Sequence, residues 1–245
     1  DDDPSWRVMF NGLQAIYHNN PVRIDIAGTV ESIAQINKDL LYRCYNTFYN
    51  LNNMILCIAG NFDVDKTLEI CDKLLKPSVD KGLEAIIPDE PYEVKEKEVT
   101  IKLSVAQPLF NVQFKIPKMT EKEAAKAYIE HNIMLELVLG KTSEFYSRLY
   151  ADELINDTFN VGVFNGRGFF VDIIEGESKE PKKVMELAKQ ALYDARKNKP
   201  SKDGFETIKK KTYGELVGSL CGSVEGVAMN VLSSEMSGYS AFEMI

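Results

Sequence analysis

Two histidines are the side chains of this sequence best suited to metal or acid–base chemistry, since a neutral imidazole can ligate zinc and also titrates near neutral pH. They are His18 and His131, and the 245 residues contain no others. A catalytic zinc ion needs three converging protein ligands and an open coordination position. Neither histidine lies in a complete metal-binding motif, so we expect that this chain alone is not a working zinc hydrolase.

The segment around the second histidine comes near to a zinc motif without completing it. Ala127–His131, with the sequence A-Y-I-E-H, has the frame of the inverted motif H-x-x-E-H, but alanine stands where the first ligand belongs. We therefore expect His131 to be packed or hydrogen-bonded along a helix. His18 lies just before Pro21 and is expected to end a helix whose dipole favours it. The sequence predicts no catalytic residue, no metal ligand and no cofactor in this chain.

Motifs for nucleotide or nucleophile chemistry are missing from the sequence. It has no G-x-S-x-G elbow, no Walker loop and no G-x-G-x-x-G after a predicted strand. The run Gly166–Gly168 fits a hairpin turn better than a phosphate cradle. The net charge of −8 weighs against a nucleic-acid partner, and Lys209–Lys211, the one dense basic run, fits a solvated helix face.

The composition is that of an ordinary globular protein, with 44% hydrophobic and 27% charged residues. No apolar run approaches the roughly 20 residues that cross a bilayer, and Asp1–Pro4 does not resemble a signal peptide, so we expect no membrane partner. The four cysteines form no C-x-x-C pair and lie in apolar patterns typical of buried free thiols. These features predict a cytoplasmic location.

Periodicity in the first third predicts three helices and one strand. Asp3 and Pro4 start a helix that runs to about His18. Asn37 caps a second helix, and Asp63 or Asp65 starts a third that Pro77 closes. Met54–Ala59 is a continuous apolar run, which is typical of a strand buried on both faces. The inner face of the second helix is expected to comprise Leu40, Leu41, Cys44, Tyr45 and Phe48.

The rest of the chain predicts strands and helices in a repeated order. An acidic, irregular stretch at 77–97 is followed by alternating apolar residues in 99–105 and 110–116, which predict two half-buried strands. The capping box Thr120-x-x-Glu123 opens a helix that ends at Gly140, and a second helix spans about 142–155. Strands return at 159–163 and 169–173, followed by helices from Pro181 and from Ser201 to about Ser234.

The predicted elements follow the order strand-strand-helix-helix, and this order occurs twice. Paired antiparallel strands beside helices predict an α+β fold with a two-layer architecture, in which an antiparallel sheet carries helices on one face. The first third has too few strands for a sheet of its own and is expected to be the tail of a similar domain.

Several segments resemble conserved stretches of one peptidase family. Tyr17–Pro21 followed by Gly28 is similar to "L-Y-x-x-H-P…G", and Asp39–Met54 is similar to "D-L…F-Y-x-x-Y-x-P-x-N-M". Gly60–Asp63 looks like "V-V-G-D-F-D", and Leu139–Tyr150 is similar to "L-G-x-x-x-x-S-R-L-Y". Each match is weak alone, but their order and spacing make them fairly specific. They resemble the pitrilysin/insulinase family of zinc peptidases, the inverted zincins, over nearly the whole chain.

The resemblance implies a processing-peptidase-like fold and a division into domains. Residues 1–76 would be the C-terminal part of a first peptidase-like domain, 77–97 a linker and 98–245 a second such domain. Family members carry H-x-x-E-H and a further zinc-binding glutamate in a region that precedes the segment matched here. The resemblance therefore implies a C-terminal fragment that lacks the zinc ligands, while zinc is expected in the full-length parent.

The resemblance also suggests substrate-facing residues. Some members place an arginine and a tyrosine just after the S-R-L-Y run to hold the substrate backbone. Residues 151–159 contain no arginine, and Phe159 at best replaces the tyrosine. The residues expected to face substrate are Arg148, Tyr150 and Phe159. The missing contacts could come from a homologous subunit, so a homo- or heterodimer is a further expectation.

Three hypotheses for function follow. The first is that the parent is a zinc-dependent endopeptidase acting on a peptide or protein, in which this chain forms chamber wall and a substrate or dimer surface. An exposed strand edge near 99–105 or 169–174 would then dock an extended substrate. The second is a non-catalytic homologous subunit with a structural role. The third is an unrelated α+β interaction module. An H-x-x-E-H motif on the parent polypeptide would distinguish the first from the second.

Overall fold

The computed structural model describes residues 3–237, and its chain forms two compact units. The first unit contains the described residues up to Asp25 together with Ile87–Gly214. The second contains Ile26–Ile86 together with the described residues from Glu215 onward. The two units differ in whether the apolar side chains of their helices are packed or exposed, so each unit is described by itself.

Helices account for most of the regular structure, and only three strands occur between residues 3 and 237. The α-helices are α1 (Pro4–Ile16), α2 (Val30–Ala34), α3 (Lys38–Phe48), α4 (Val64–Leu74), α5 (Glu121–Leu139), α6 (Glu144–Ala151), α7 (Pro181–Lys197), α8 (Lys202–Cys221) and α9 (Val224–Ser237). The strands are β1 (Leu109–Lys115), β2 (Asn160–Gly166) and β3 (Phe169–Glu177).

The sheet of the first unit is antiparallel, with the order β1-β3-β2. In its register Phe114 and Val163 both lie opposite Asp172 of the central strand. The predicted hairpin turn joins β2 to β3, and Gly168 has a φ of +81°, which a residue without a Cβ adopts most easily. The predicted strands at 110–116, 159–163 and 169–173 are thereby confirmed, within one to four residues at their ends.

Helices α5, α6 and α7 cover one face of this sheet. The capping box predicted at Thr120 and Glu123 is formed, and α7 begins at Pro181 as expected. Because apolar residues recur on one side of each helix, they interdigitate with alternate residues of the strands. The resulting core contains Phe110, Leu135, Leu139, Phe145, Leu149, Leu154, Ile155, Phe159, Val161, Ile174, Val184 and Ala188.

Helix α1 covers the opposite face. Asp3 accepts hydrogen bonds from the backbone N–H groups of Ser5 and Trp6, so this residue caps the helix as predicted. A smaller cluster forms where α1 meets the sheet, and it contains Leu13, Ile16, Tyr17, Val171 and Ile173. The predicted α+β class is confirmed, with helices on the expected face and α1 as an additional layer.

The second unit has capped helices but no apolar core among its described residues. Asn37 and Asp63 cap α3 and α4 as predicted. Every buried hydrophobic residue in the described chain belongs to the first unit. The expected inner face of α3 was wrong, since Leu41, Tyr45 and Phe48 are each more than half exposed. The cysteines are free, but Cys44 and Cys221 are exposed and Cys57 and Cys71 half-buried, so they are not the buried thiols that were expected.

Two predicted strands are absent, and one predicted helix is broken. Met54–Ala59 and Val99–Val105 have no regular structure, because a strand needs a bonded neighbour and neither pairs with another described segment. The helix predicted from Ser201 to Ser234 is interrupted between Cys221 and Val224. The doubled strand-strand-helix-helix order is therefore incomplete at its first strand.

The stretch at 77–97 is irregular, as its composition predicts. The boundary between the compact units falls within it, before Ile87, and a second boundary falls inside α8. Helix α1, which the sequence assigned to the first peptidase-like domain, packs in the same unit as 98–214. The boundaries of the peptidase-like domains themselves stay a prediction.

No single helix in residues 3–237 is long and apolar enough to cross a membrane. The bent pair formed by Lys202–Cys221 and Val224–Met236 reaches the length and composition of a span only when its two helices are taken together.

A matched pair of leucines tests where the core lies. Leu149 is fully buried, whereas Leu41 is mostly exposed. We expect Leu149→Ala to lower the free energy of unfolding by about 2–5 kcal/mol, because it leaves a cavity. Leu41→Ala should change it by no more than about 0.5 kcal/mol. Urea unfolding followed by the fluorescence of Trp6, the only tryptophan, measures both. Equal losses from the two variants would contradict the described core.

Candidate functional site

A buried carboxylate ties a distant segment of the first unit to the loop after α1. The Glu90 carboxylate accepts hydrogen bonds from the backbone N–H groups of His18 at 2.8 Å, Asn19 at 2.7 Å and Asn20 at 2.8 Å. It also receives one from Lys115 Nζ at 2.7 Å. Less than a tenth of either charged side chain is exposed. Four donors on one carboxylate explain how its charge is tolerated away from water.

The Lys115 ammonium group, like the Glu90 carboxylate, has several hydrogen-bond partners. Besides Glu90, its ammonium group donates to the carbonyl oxygens of Ile16 at 3.0 Å and Pro91 at 2.6 Å. It also lies 4.7 Å from the ring centroid of Tyr17, a cation–π distance. Burial raises the pKa of the Tyr17 hydroxyl to about 12. Lys115 therefore joins the end of α1, edge strand β1 and the segment after Ile87 at one point.

The contact around Glu90 and Lys115 is called here the junction. Tyr17–Pro21, one of the motifs that resemble the peptidase family, forms its other side. Asn20 is buried, donates from Nδ2 to the carbonyl oxygen of Gly168 at 3.1 Å and accepts from the backbone N–H of Val22 at 3.0 Å. These two bonds attach the loop to the β2–β3 turn and start a short 3₁₀ turn. The motif thus has a structural role in the first unit, and His18 contributes its backbone to it.

The pKa of Glu90 reflects this environment. Burial by itself raises the pKa of the carboxyl group, but the hydrogen bonds from Lys115 and from three backbone N–H groups outweigh it and lower the pKa to about 2. The Glu90 carboxylate is consequently ionised at neutral pH.

His131 makes another buried polar contact in the first unit. Its Nδ1 lies 2.9 Å and 2.8 Å from the two carboxylate oxygens of Asp172. The Phe170 ring meets the imidazole edge-on, with 5.1 Å between ring centroids. The hydrogen bond to Asp172 raises the pKa of His131, and this effect outweighs the desolvation that lowers it. The expectation that His131 is hydrogen-bonded along a helix is confirmed.

The side chains described here do not fit a zinc ion. No group of three or more histidine, cysteine, aspartate or glutamate side chains converges within residues 3–237. His131 also directs one ring nitrogen to Asp172. A histidine oriented by a carboxylate resembles the outer part of a zinc site, but the further ligands that such a site needs are not beside it. We therefore assign no catalytic step through zinc to these residues.

The predicted substrate-facing residues separate into surface and core. Arg148 and Tyr150 are exposed on α6, where Tyr150 stacks on Tyr146 with 5.7 Å between ring centroids. Phe159 is only 1% exposed and lies within the main core, so its ring is not accessible in this structure. Contact of Arg148 and Tyr150 with a substrate stays a prediction.

The strand edges differ from the expected ones. Residues 169–174 lie in β3, the central strand, so they offer no free edge. Residues 99–105 form no strand. The edges of the sheet are β1 and β2.

Substitution of Glu90 tests the junction. Glu90→Gln removes the buried charge and leaves Lys115 unpaired, so we expect a loss of about 2–4 kcal/mol in unfolding free energy at pH 7. A carboxyl group with a lowered folded pKa stabilises fully above its unfolded pKa, near 4.5, and loses this contribution as the pH falls toward about 2. The difference between wild type and variant should shrink over that range. Glu93→Gln, at an exposed position of the same segment, is the control, and an equal loss there would contradict the assignment.

Titration of His131 tests the second contact. Its folded pKa is expected above the ordinary value of 6.5, so its stabilising contribution is complete below that value and is lost as the pH rises through the folded pKa. NMR titration can follow it directly, with His18 as the only other histidine resonance. Asp172→Asn should lower the pKa of His131. A wild-type pKa at or below 6.5, or one that Asp172→Asn leaves unchanged, would disprove the interaction.

Known proteins share both the sequence and the fold of this chain. It is 37% identical over 191 residues to the uncharacterized zinc protease YmfH of Bacillus subtilis, a match that covers 76% of the chain and 45% of YmfH. The crystal structure of an M16-like peptidase from Alicyclobacillus acidocaldarius superposes with a TM-score of 0.87 at 30% identity, over 95% of the chain and 56% of that peptidase. The chain spans about half the length of these relatives.

A more distant structure shows the same fold. A protease from Helicobacter pylori has a TM-score of 0.77 at 16% identity, over 97% of the chain and 58% of that protease. The model of the family described as the peptidase M16 inactive domain matches residues 35–212, which is more than half of the chain. The family resemblance found in the sequence is confirmed, and the chain belongs to the peptidase M16 family, whose inactive domain it contains.

Proposed function

We propose that this chain is part of a zinc-dependent M16 metalloendopeptidase and forms chamber wall together with a substrate-facing or dimer-forming surface. The observation that carries the proposal is the match of residues 35–212 to the inactive domain of the family. Two facts support it: a relative at 37% identity is named a zinc protease, and no zinc ligand set converges in the described residues. The zinc of the parent enzyme would then be bound outside the residues described here.

In this proposal the residues of the chain bind and position, and the hydrolytic step takes place elsewhere in the enzyme. An extended peptide can add to a free strand edge through main-chain hydrogen bonds. Strands β1 and β2 provide such edges, and exposed Arg148 and Tyr150 on α6 are the side chains that we assign to substrate contact. We place the parent in the cytoplasm, paired with a homologous subunit, and without a nucleic-acid or membrane partner.

A non-catalytic homologous subunit is the alternative. It has the same support from the description of the matched domain as inactive and from the absence of a ligand set in residues 3–237. The two functions differ in one feature of the parent polypeptide, which carries H-x-x-E-H if it is a peptidase and lacks it if it is a structural subunit.

Metal and peptide assays test the proposal. The purified chain, saturated with zinc and desalted, is expected to retain far less than one zinc ion and to leave a mixture of quenched fluorescent peptides uncleaved. Joining the chain to an M16 half that carries H-x-x-E-H should give one bound zinc ion and peptide cleavage, because the water-activating site is then complete. Replacing the motif glutamate by glutamine in the joined protein should abolish cleavage and retain zinc.

Two outcomes would contradict the proposal. Stoichiometric zinc and cleavage by the chain alone, lost in His131→Ala, would show that its own residues are catalytic. A joined protein that binds zinc and cleaves no peptide would favour the structural subunit.

Arg148→Ala in the active joined protein should raise KM, with Arg196→Ala at an exposed position of α7 as the matched control.

A further inference from the structure

A run of exposed lysines leads from the end of α7 into α8 of the first unit. Lys197–Lys211 contains six lysines and two acidic residues, a net charge of +4 in a chain whose net charge is −8. Five of the lysines are exposed and form what is called here the basic surface: Lys197, Lys199, Lys202, Lys209 and Lys210. This local positive charge is opposite in sign to the charge of the whole chain.

The lysines of the basic surface lack the carboxylate partners that neighbouring lysines have. Three lysines earlier in α7 each have a carboxylate oxygen at 2.7–3.6 Å: Lys182, Lys183 and Lys189. Lys211, beside the basic surface, pairs with Glu136 at 2.9 Å. Within residues 3–237 no lysine of the basic surface forms an ion pair, and Lys197 lies 4.4 Å from the ring centroid of Tyr193, which leaves its charge in place. These charges are therefore available to an anionic partner.

Two exposed aromatic rings lie beside the lysines of α8. Residues three and four apart share one side of a helix. One stripe along α8 consequently contains Lys202, Phe205, Lys209 and Tyr213. Phe205 is 41% and Tyr213 52% exposed. The stripe thus presents cationic groups and apolar ring faces in turn at the surface of the first unit.

We propose that the basic surface and these two rings bind an acidic, proline-rich peptide segment in extended form. Lys202 and Lys209 are seven residues apart, which is about 10 Å along a helix. In a polyproline II helix, residues three apart lie on the same side at a separation of about 9 Å, so glutamates with this spacing would meet both lysines. The residues between the glutamates would pack on Phe205 and Tyr213, as proline-rich segments do on exposed aromatic rings.

Other anionic partners fit this surface less well. A nucleic acid extends beyond the lysines and would meet a chain whose net charge of −8 repels phosphates. An anionic membrane favours a helix with a broad apolar face, whereas this stripe has two rings. A short acidic peptide depends on the local charge alone, because salt screens interactions beyond about 10 Å.

This inference deepens the proposed function and rests on it in one respect, since the peptide would be an acidic segment of a substrate of the parent peptidase. Binding requires neither zinc nor hydrolysis, so it is measured on the intact chain alone. Peptide binding by the chain, together with a joined protein that cleaves nothing, would contradict the proposed function and support this inference. The reverse pair of results would contradict only this inference.

Fluorescence anisotropy with a labelled peptide tests the proposal. The probe is a peptide of about 12 residues with the repeat Glu-Pro-Ala, which gives its glutamates the required spacing. We expect a dissociation constant of about 10–100 μM in ~50 mM salt, and binding at least about threefold weaker in ~300 mM salt, because exposed charges are screened. Two control peptides should each bind at least about fivefold more weakly. One has glutamine in place of glutamate, and the other has the same composition with its glutamates adjacent.

Variants of the chain locate the binding. Lys202→Glu combined with Lys209→Glu should weaken it by about tenfold or more, and Tyr213→Ala by about threefold. The matched control is Lys122→Glu combined with Lys126→Glu, since both lysines are exposed on α5 and the net charge changes equally. This control should leave the affinity within about twofold of wild type. Circular dichroism should show the same helix content in all variants.

Four results would overturn the proposal. They are no binding at about 1 mM peptide, equal weakening by the two lysine pairs, equal affinity for the peptide with adjacent glutamates, and binding of single-stranded DNA at least about tenfold tighter than that of the peptide. The last result would identify a nucleic acid as the occupant.

Discussion

The buried ion pair of Glu90 and Lys115 is the interaction on which the order of the first unit most depends. It is made by residues from two distant parts of the chain, and its hydrogen bonds reach the loop after α1 as well. Removing either partner would leave an uncompensated charge away from water, which is strongly destabilising. These bonds to the end of α1 and to the loop after it help to hold α1 over Val171 and Ile173 of the sheet.

The two units contain the same kind of helix but pack it differently. Both contain capped amphipathic helices, but only the first places their apolar sides against a sheet. Helix capping and local hydrogen bonding stabilise a short helix weakly, and most helical stability in proteins comes from packing. The second unit therefore has local structure without the tertiary burial that normally supports it.

Much of the fold could be predicted from the sequence because its signals are local. The cap at Asp3, the capping box at Thr120 and the turn at Gly168 depend on residues within a few positions of one another. The strand at Met54–Ala59 was wrongly predicted because an apolar run shows what a segment favours, whereas a strand requires a neighbour that the pattern does not reveal.

The polar contacts were harder to foresee. Asp172 interrupts the apolar run Phe169–Ile174, and a charge in such a run could have indicated a buried partner for His131. Glu90 gave no comparable signal. It lies between two prolines in an acidic, irregular stretch, and its hydrogen-bond donors lie about 70 residues earlier in the chain or on strand β1. Long-range pairing of this kind depends on the tertiary fold, so spacing along the sequence could not reveal it.

We claim above all that the first unit has a core of its own, whereas the described residues of the second unit bury no hydrophobic side chain. Hydrogen–deuterium exchange of the chain alone tests it most directly, since amide protection reports the free energy of local opening. We expect slow exchange in β3 and α5, at rates set by global unfolding, and exchange that is faster by orders of magnitude in α3 and α4. Equal protection of α3 and α5 in the isolated chain would contradict it.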